Sequence, residues 1–281
     1  MLPPCRWFHL YLLRQAFATQ LMRPIDILTI QHLIISGWDV DRVFKLTIQS
    51  FDDVHNAPNA AGPIPDRVPE FEDFFEMTHI MREFQLRGAL HIGSSVVKVN
   101  NGSGDYTDKK DEESLSDFKH KFNSMRLIFP SDEKDSKKLA DLLVGTKRSG
   151  KRYVLDIDLG FNKDAEMGLM PRSVLGCMYY LSLGIIPPIQ DISMGNIPLV
   201  KDKDGKIYNW QELLGGLFTV SSSQSYPSNP FVAVKYRDHW YYIDNNDICT
   251  KRTFVLLQQL YSLQSSEAKT LPTLLTIPLG G

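Results

Sequence analysis

The stretch from Phe231 to Tyr261 constrains the fold of this chain more than any other. Two short runs, Phe231 to Tyr236 and Trp240 to Asp244, are rich in aromatic and β-branched residues and flank a tight turn, the pattern of a β-hairpin. Asp238 or His239 is expected to take the left-handed position of that turn, because Asp, Asn and His tolerate positive φ better than most residues. Asn246 or Asp247 then caps a helix whose inner stripe reads as Phe254, Leu257, Leu260 and Tyr261. Thr273 to Ile277 reads as a closing strand. Hairpin, helix and strand in close succession predict an α+β fold of mixed helices and antiparallel sheet, with the helix packed on one sheet face.

The rest of the chain mixes the same elements. Residues 24 to 37 read as a helix opened by Pro24, striped with Ile27, Ile30, Leu33 and Ile34, and closed by Gly37. Val43 to Phe51 alternates from Phe44 and reads as a strand with Phe44, Leu46 and Ile48 on one face. Pro58, Gly62, Pro63 and Pro65 make 52 to 68 a loop. Pro69 to Arg87 is the clearest helix, with acids in its first turn, Phe71, Phe74, Phe75, Thr78, Met81 and Phe84 at helical spacing, and Gly88 at its end. Ala89 to Val99, Met125 to Phe129, Tyr153 to Leu159 and Leu217 to Ser221 read as strands. Asp132 to Val144, Pro171 to Leu183 and Trp210 to Leu214 read as helices. Residues 100 to 121 carry six acids and four lysines with almost nothing to bury, so they read as a mobile polar loop. The organisation expected is an atypical N-terminus over 1–16, an α+β lobe over 17–99, the loop over 100–121, and a second α+β lobe over 122–281. The loop either separates two lobes or is an insertion within one domain.

Composition narrows the classes of function. The chain has 281 residues, 43% of them apolar, and a net charge of −2. That excludes a wholly disordered chain and a collagen-like repeat. The lack of a basic excess argues against nucleic acid as the main partner. No run of 18 apolar residues exists in the sequence, so no transmembrane segment is expected. The first residues, with one positive charge before the short apolar piece Trp7 to Leu13, make a poor export signal. Cys5 follows Pro3-Pro4 rather than a lipobox. Cys5, Cys177 and Cys249 form no CxxC or Cys/His cluster, and whether Cys177 and Cys249 pair is left open.

The motifs with chemical overtones each have a plainer reading. Gly145 to Arg152 has the glycines and Lys151 of a P-loop, but Arg152 stands where Ser or Thr is needed, and a helix precedes it where a strand should. It reads as a basic turn. Asp202-x-Asp204-Gly205 resembles the start of a calcium loop, yet Leu213 occupies the twelfth position, so it reads as a solvated turn. Ser116-x-x-Lys119 and Ser131-x-x-Lys134 lack the companion motifs of a serine acylase, and Ser131 or Asp132 is better read as a helix cap. The seven histidines show no metal-ligand spacing, and no cofactor, metal or catalytic residue is expected. Tyr236-Arg237-Asp238-His239-Trp240-Tyr241-Tyr242 concentrates aromatics in the hairpin. Trp240 and Tyr242 should point one way and Tyr241 the other. Arg237, Trp240, Tyr241 and Tyr242 are the candidate contact surface, since Tyr, Trp and Arg are enriched at interface hot spots.

Three blocks together resemble a known family. They are Ser36 to Ser50 with the Asn56-Ala57-Pro58 and Gly62-Pro63 turn after it, the helix end Arg82-Glu83-Phe84-Gln85-Leu86-Arg87-Gly88-Ala89, and the block Phe231 to Phe254 closing with Leu275 to Pro278. They are similar to an uncharacterised family of bacterial cell-envelope proteins, over roughly residues 17 to 278. Members of that family are usually longer and begin with a lipoprotein signal. Residues 1 to 16 depart from the pattern and lack the lipidated cysteine. A truncated or frame-shifted gene start would account for both; N-terminal sequencing that finds Met1 on the native protein would contradict it. The resemblance implies an envelope location and an envelope protein as partner, and it carries no catalytic residue. The expected function is a non-enzymatic binding or structural protein. The alternatives are a hydrolase with a site built from scattered residues and a cytosolic interaction module.

Overall fold

A computed structural model describes residues 18–58, 68–97, 122–160, 166–197, 199–202, 204–214 and 216–267. The chain divides into two units. One comprises Asp26–Pro58 and Glu70–Pro171; the other comprises Met1–Ile25, Asn59–Pro69 and Arg172–Gly281. Both helices and sheets are present, and the fold is α+β. The N-terminal stretch 1–16, the polar loop 100–121 and the closing strand 273–277 lie outside the described residues.

The unit of Asp26–Pro58 and Glu70–Pro171 is built on a seven-stranded sheet. Its strands are β1 (Ile48–Phe51), β2 (Val54–His55), β3 (His91–Val97), β4 (Phe122–Pro130), β5 (Lys147–Ser149), β6 (Arg152–Leu159) and β7 (Met167–Pro171), in the order β2-β1-β7-β6-β4-β3 with β5 on β6. All neighbours are antiparallel except β6 and β7, which run parallel. β3 pairs directly with β4, so residues 98–121 connect two adjacent strands of one sheet. Across β4 and β6, Arg126 stands opposite Asp156 and donates both Nε (2.7 Å) and Nη2 (2.6 Å) to its carboxylate.

Among the described residues of this unit are four helices: α1 (Ile27–Ile35), α2 (Val40–Thr47), α3 (Glu72–Leu86) and α4 (Ser136–Leu142). α1 starts three residues after Pro24, with Asp26 at its N-cap, and Gly37 follows it at φ +104° as expected. α2 overturns the strand reading of Val43 to Phe51; only Ile48–Phe51 is extended. The run alternates, but Val40, Val43, Phe44 and Thr47 also satisfy i, i+3, i+4, i+7 spacing, and all are buried. A helical period beats a short alternation when flanking residues extend it. The cap is supplied from another helix: Gln85 Oε1 of α3 accepts from Val40 N at 2.9 Å while its Nε2 donates to the Trp38 carbonyl at 2.9 Å. Arg82 holds Gln85 and pairs with the buried Asp39.

α3 begins at Glu72 rather than Pro69 and ends at Leu86, with Gly88 at φ +68° beyond it. Its core face holds Phe74, Met77, Thr78, Met81 and Phe84. Phe71 and Phe75 are only half-buried and pack edge to face on each other at 4.9 Å. Phe51 stacks on Phe74 and Phe84 on Phe129, which joins α3 to β1 and β4. α4 is shorter than expected. Asp135, left-handed at φ +66°, stands at its N-cap instead of Ser131 or Asp132. Gly145, at φ +98°, follows α4, and a Cβ there would collide with the Glu166 carbonyl. The P-loop-like segment is thus a turn after α4, the strand β5, and a tight return into β6.

The other unit contains α5 (Val174–Ser182), α6 (Ile189–Ser193), α7 (Trp210–Leu214), α8 (Ile248–Glu267) and a three-stranded antiparallel sheet of β8 (Ser221–Ser223), β9 (Pro230–Tyr236) and β10 (His239–Asp244), in the order β8-β10-β9. Ser173, not Pro171, opens α5; its hydroxyl accepts from Gly176 N at 3.0 Å. Asp247 caps α8, accepting from Thr250 N at 2.9 Å. The stripe of α8 differs from the expected one. Thr250, Thr253, Leu256, Leu260 and Gln264 are buried, whereas Tyr261 is 38% exposed and Phe254 and Leu257 are half-buried. Hydroxyls decide this rotation. Thr250 Oγ1 accepts from Thr219 N (2.9 Å) and Thr253 Oγ1 donates to the Leu217 carbonyl (2.7 Å), so two polar residues take core positions because each has a buried partner.

Arg172, Tyr180 and Cys177 share the core of this unit, each with no exposed surface. The Arg172 guanidinium lies 4.0 Å from the Tyr180 ring centre. Burial pushes both the Cys177 thiol and the Tyr180 phenol up to about 12. Both acids therefore hold their protons more tightly folded than unfolded, where they titrate near 9 and 10. Their contribution is fully present below about pH 9 and is lost as the pH climbs toward 12. The difference in urea midpoint between wild type and Tyr180→Phe should hold constant from about pH 7 to 9 and then shift against wild type as the pH climbs. A difference that already shifts between pH 7 and 8 would contradict this assignment.

Candidate contact surface

β9 and β10 are extended because Val232, Val234, Tyr236, Trp240, Tyr241, Tyr242 and Ile243 are residues that pack well on a pleated surface. They pair with Tyr236 opposite His239, Lys235 opposite Trp240, Val234 opposite Tyr241 and Ala233 opposite Tyr242. Ser223, Ser222 and Ser221 of β8 continue those rows on the far side of β10. The two-residue loop is Arg237-Asp238, and the left-handed residue is Arg237 at φ +51°, neither Asp238 nor His239. The pairing of Tyr236 with His239 fixes this, because it makes Arg237 the first central residue of the turn.

Alternation divides the four expected surface residues between two faces. On one face Tyr241 lies beside Tyr236, with ring centres 6.5 Å apart, and the Arg237 guanidinium lies 5.3 Å from the Tyr236 ring centre. Val234 and Tyr236 are 59% and 60% exposed, so this face presents an apolar and aromatic patch with a cation at its edge. The Tyr241 phenol is held above its ordinary value by partial burial and by the Asp191 carboxylate, with Arg237 opposing. On the other face Trp240 meets Tyr226 edge to face at 4.9 Å, and Lys235 Nζ sits 6.0 Å from its ring centre. Trp240, Tyr241 and Tyr242 are half-buried, and Arg237 is exposed. The structure therefore joins Arg237 to Tyr241 and separates both from Trp240 and Tyr242. It adds Val234, Tyr236 and Tyr226. Alternation through β9 could have found Val234 and Tyr236; Tyr226 carries no such signal.

Arginine at positive φ costs on the order of 1 kcal/mol relative to glycine. Arg237→Gly is expected to raise stability by about 0.5–1 kcal/mol while removing the cation from the patch. Chemical denaturation checks the sign, and a destabilised variant would contradict the turn geometry.

The remaining sites are accounted for by structure. Asp202 Oδ1 accepts from Asp204 N (3.0 Å) and Lys206 N (2.9 Å), which makes the calcium-like segment a side-chain-stabilised turn. Among the described residues no three His, Cys, Asp or Glu side chains come together in a way that could hold a metal ion. Cys177 is buried, Cys249 is exposed, and the two are not bonded to each other. With its thiol pushed up to about 12 by burial, Cys177 stays protonated at neutral pH and is a poor nucleophile. Iodoacetamide should therefore label Cys249 and spare Cys177 until the chain is unfolded; prompt labelling of Cys177 in the native protein would contradict its burial. A cleft of about 530 Å³ opens beside the β1–β2 turn, between Asp52, Asp53, Val144 and Met170. Among the described residues no helix is long and apolar enough to cross a membrane. No family model, curated protein or solved structure matches the chain.

Proposed function

We propose that this chain is a non-enzymatic binding protein of the bacterial cell envelope that engages a protein partner through its β9–β10 hairpin. The observation that carries the proposal is the patch of Val234, Tyr236, Tyr241 and Arg237. Two exposed apolar side chains, a half-covered tyrosine and an exposed arginine share one sheet face, the residue types that dominate interface hot spots. An arginine held in a conformation that favours glycine supports the same reading, because local strain at an exposed turn is tolerated where the side chain has a use. The envelope location rests on the similarity of the three sequence blocks to an envelope family.

The test is capture from a native envelope fraction on immobilised protein, with the Tyr236→Ser/Tyr241→Ser double variant in parallel. Loss of two hot-spot tyrosines is expected to weaken capture of a specific partner by at least about tenfold, with circular dichroism unchanged. Equal capture by both proteins, or native protein found in the cytosolic fraction alone, would contradict the proposal.

A further inference from the structure

β9 is an edge strand. In the order β8-β10-β9 it pairs with β10 alone among the described residues, so alternate N–H and C=O groups along its outer side face away from the sheet. An edge left open among the described residues is a template for an extended segment that continues the ladder. Pro230 and the irregular register between Ile243 and Asp244 blunt one end of the strand, which leaves Val232 to Tyr236 as the usable stretch. Val234 and Tyr236 point to the face of Tyr241, and Lys235 points to the face of Trp240. All three are exposed.

Charge selects among strands. Lys235 lies on the edge itself, and Arg237 follows at the turn. β9 reads Pro230-Phe231-Val232-Ala233-Val234-Lys235-Tyr236 and contains no acid, so a second copy of β9 offers Lys235 no opposite charge. An incoming strand with Asp or Glu opposite Lys235 gains a cross-strand pair and spares Lys235 an apolar neighbour. We infer that β9 is a strand-addition site for an extended peptide segment of a partner protein, with apolar residues at alternate positions and an acidic residue opposite Lys235. This rests on the reading of the hairpin as a contact surface and specifies how the partner is held.

The probe is a capped nine-residue peptide of alternating Thr and Val with Glu at its centre, titrated into the full chain and followed by calorimetry and by backbone amide shifts in β9. The Glu peptide is expected to bind at least about fivefold more tightly than its Lys counterpart. N-methylation of alternate backbone amides should abolish binding. Ala233→Pro and Val234→Pro are both made, because only one of these N–H groups faces outward. The variant with unchanged melting temperature should lose the peptide. Equal affinity for Glu and Lys peptides, binding that survives N-methylation, or shifts that bypass β9 would each overturn strand addition, as would self-association through β9. If the fold-neutral proline variant still captures the envelope partner while the double tyrosine variant does not, strand addition fails and the contact-surface reading stands.

Discussion

Gly184→Ala is expected to destabilise the unit of Arg172–Gly281 by about 3 kcal/mol. Gly184 follows α5 where the chain turns toward the three-stranded sheet. A Cβ there would run into the Phe218 carbonyl and stand 2.7 Å from Leu214 Cδ1. The carbonyl cannot step aside cheaply, because the Gly184 carbonyl accepts from both Val220 N (2.9 Å) and Gln211 Nε2 (3.1 Å), which fixes the two segments against each other. Leu213 and Leu214 are also fully buried. Gly195→Ala is the matched control: Gly195 has open space around its Cα, so its cost should come from its positive φ alone, about 1 kcal/mol. Urea denaturation of the two variants reads the difference, and equal costs would show that the contact at Gly184 is not what the geometry describes.

Asn56→Asp is the second large effect. Asn56 has no exposed surface, and its Nδ2 donates to the Lys45 carbonyl (2.9 Å) and the Ile48 carbonyl (2.7 Å) at the junction of α2 and β1. One amide thereby closes the end of a helix whose last carbonyls have no partner within the helix. Aspartate keeps the volume but turns both donors into acceptors facing carbonyl oxygens. A loss of about 3 kcal/mol or more is expected, larger than for Asn56→Ala, which removes the donors without adding a buried charge. An aspartate variant as stable as wild type at neutral pH would show that the amide has another orientation.

Much of this fold was legible because long periodic segments announce themselves. Phe74, Thr78, Met81 and Phe84 of α3, the hairpin β9–β10 and the helix α8 stand within a few residues of where spacing put them. The errors share a cause, which is that local pattern does not reveal what supplies a cap or a turn. Val43 to Thr47 of α2 reads as a strand because Phe44, Leu46 and Ile48 alternate, while the Gln85 that caps the helix lies 45 residues from Val40. The stripe of α8 was rotated because nothing near Thr250 and Thr253 shows that Thr219 N and the Leu217 carbonyl await their hydroxyls. The positive φ fell on Arg237 because cross-strand pairing sets the turn and side-chain preference only adjusts it. The parallel pairing of β6 with β7 was equally hidden, since the two strands are sequence neighbours and a short connection favours an antiparallel turn.

The contact surface was half legible. The aromatic run around Trp240 identified the hairpin, but a run of consecutive residues in a strand serves two faces. Only the register shows that Tyr241 shares its face with Val234 and Tyr236 while Trp240 and Tyr242 share theirs with Lys235 and Ala233. The proposed partner therefore meets a patch made from both strands, part of which lies before the turn.

Photocrosslinking in cells reads the hairpin contact itself. A photoreactive phenylalanine analogue is placed at Tyr236, at Tyr241, or at Leu263, which is 48% exposed on α8. One discrete protein adduct, recovered with the envelope fraction, is expected from positions 236 and 241 and none from 263. No adduct from the hairpin positions, or the same adducts from all three, would contradict it.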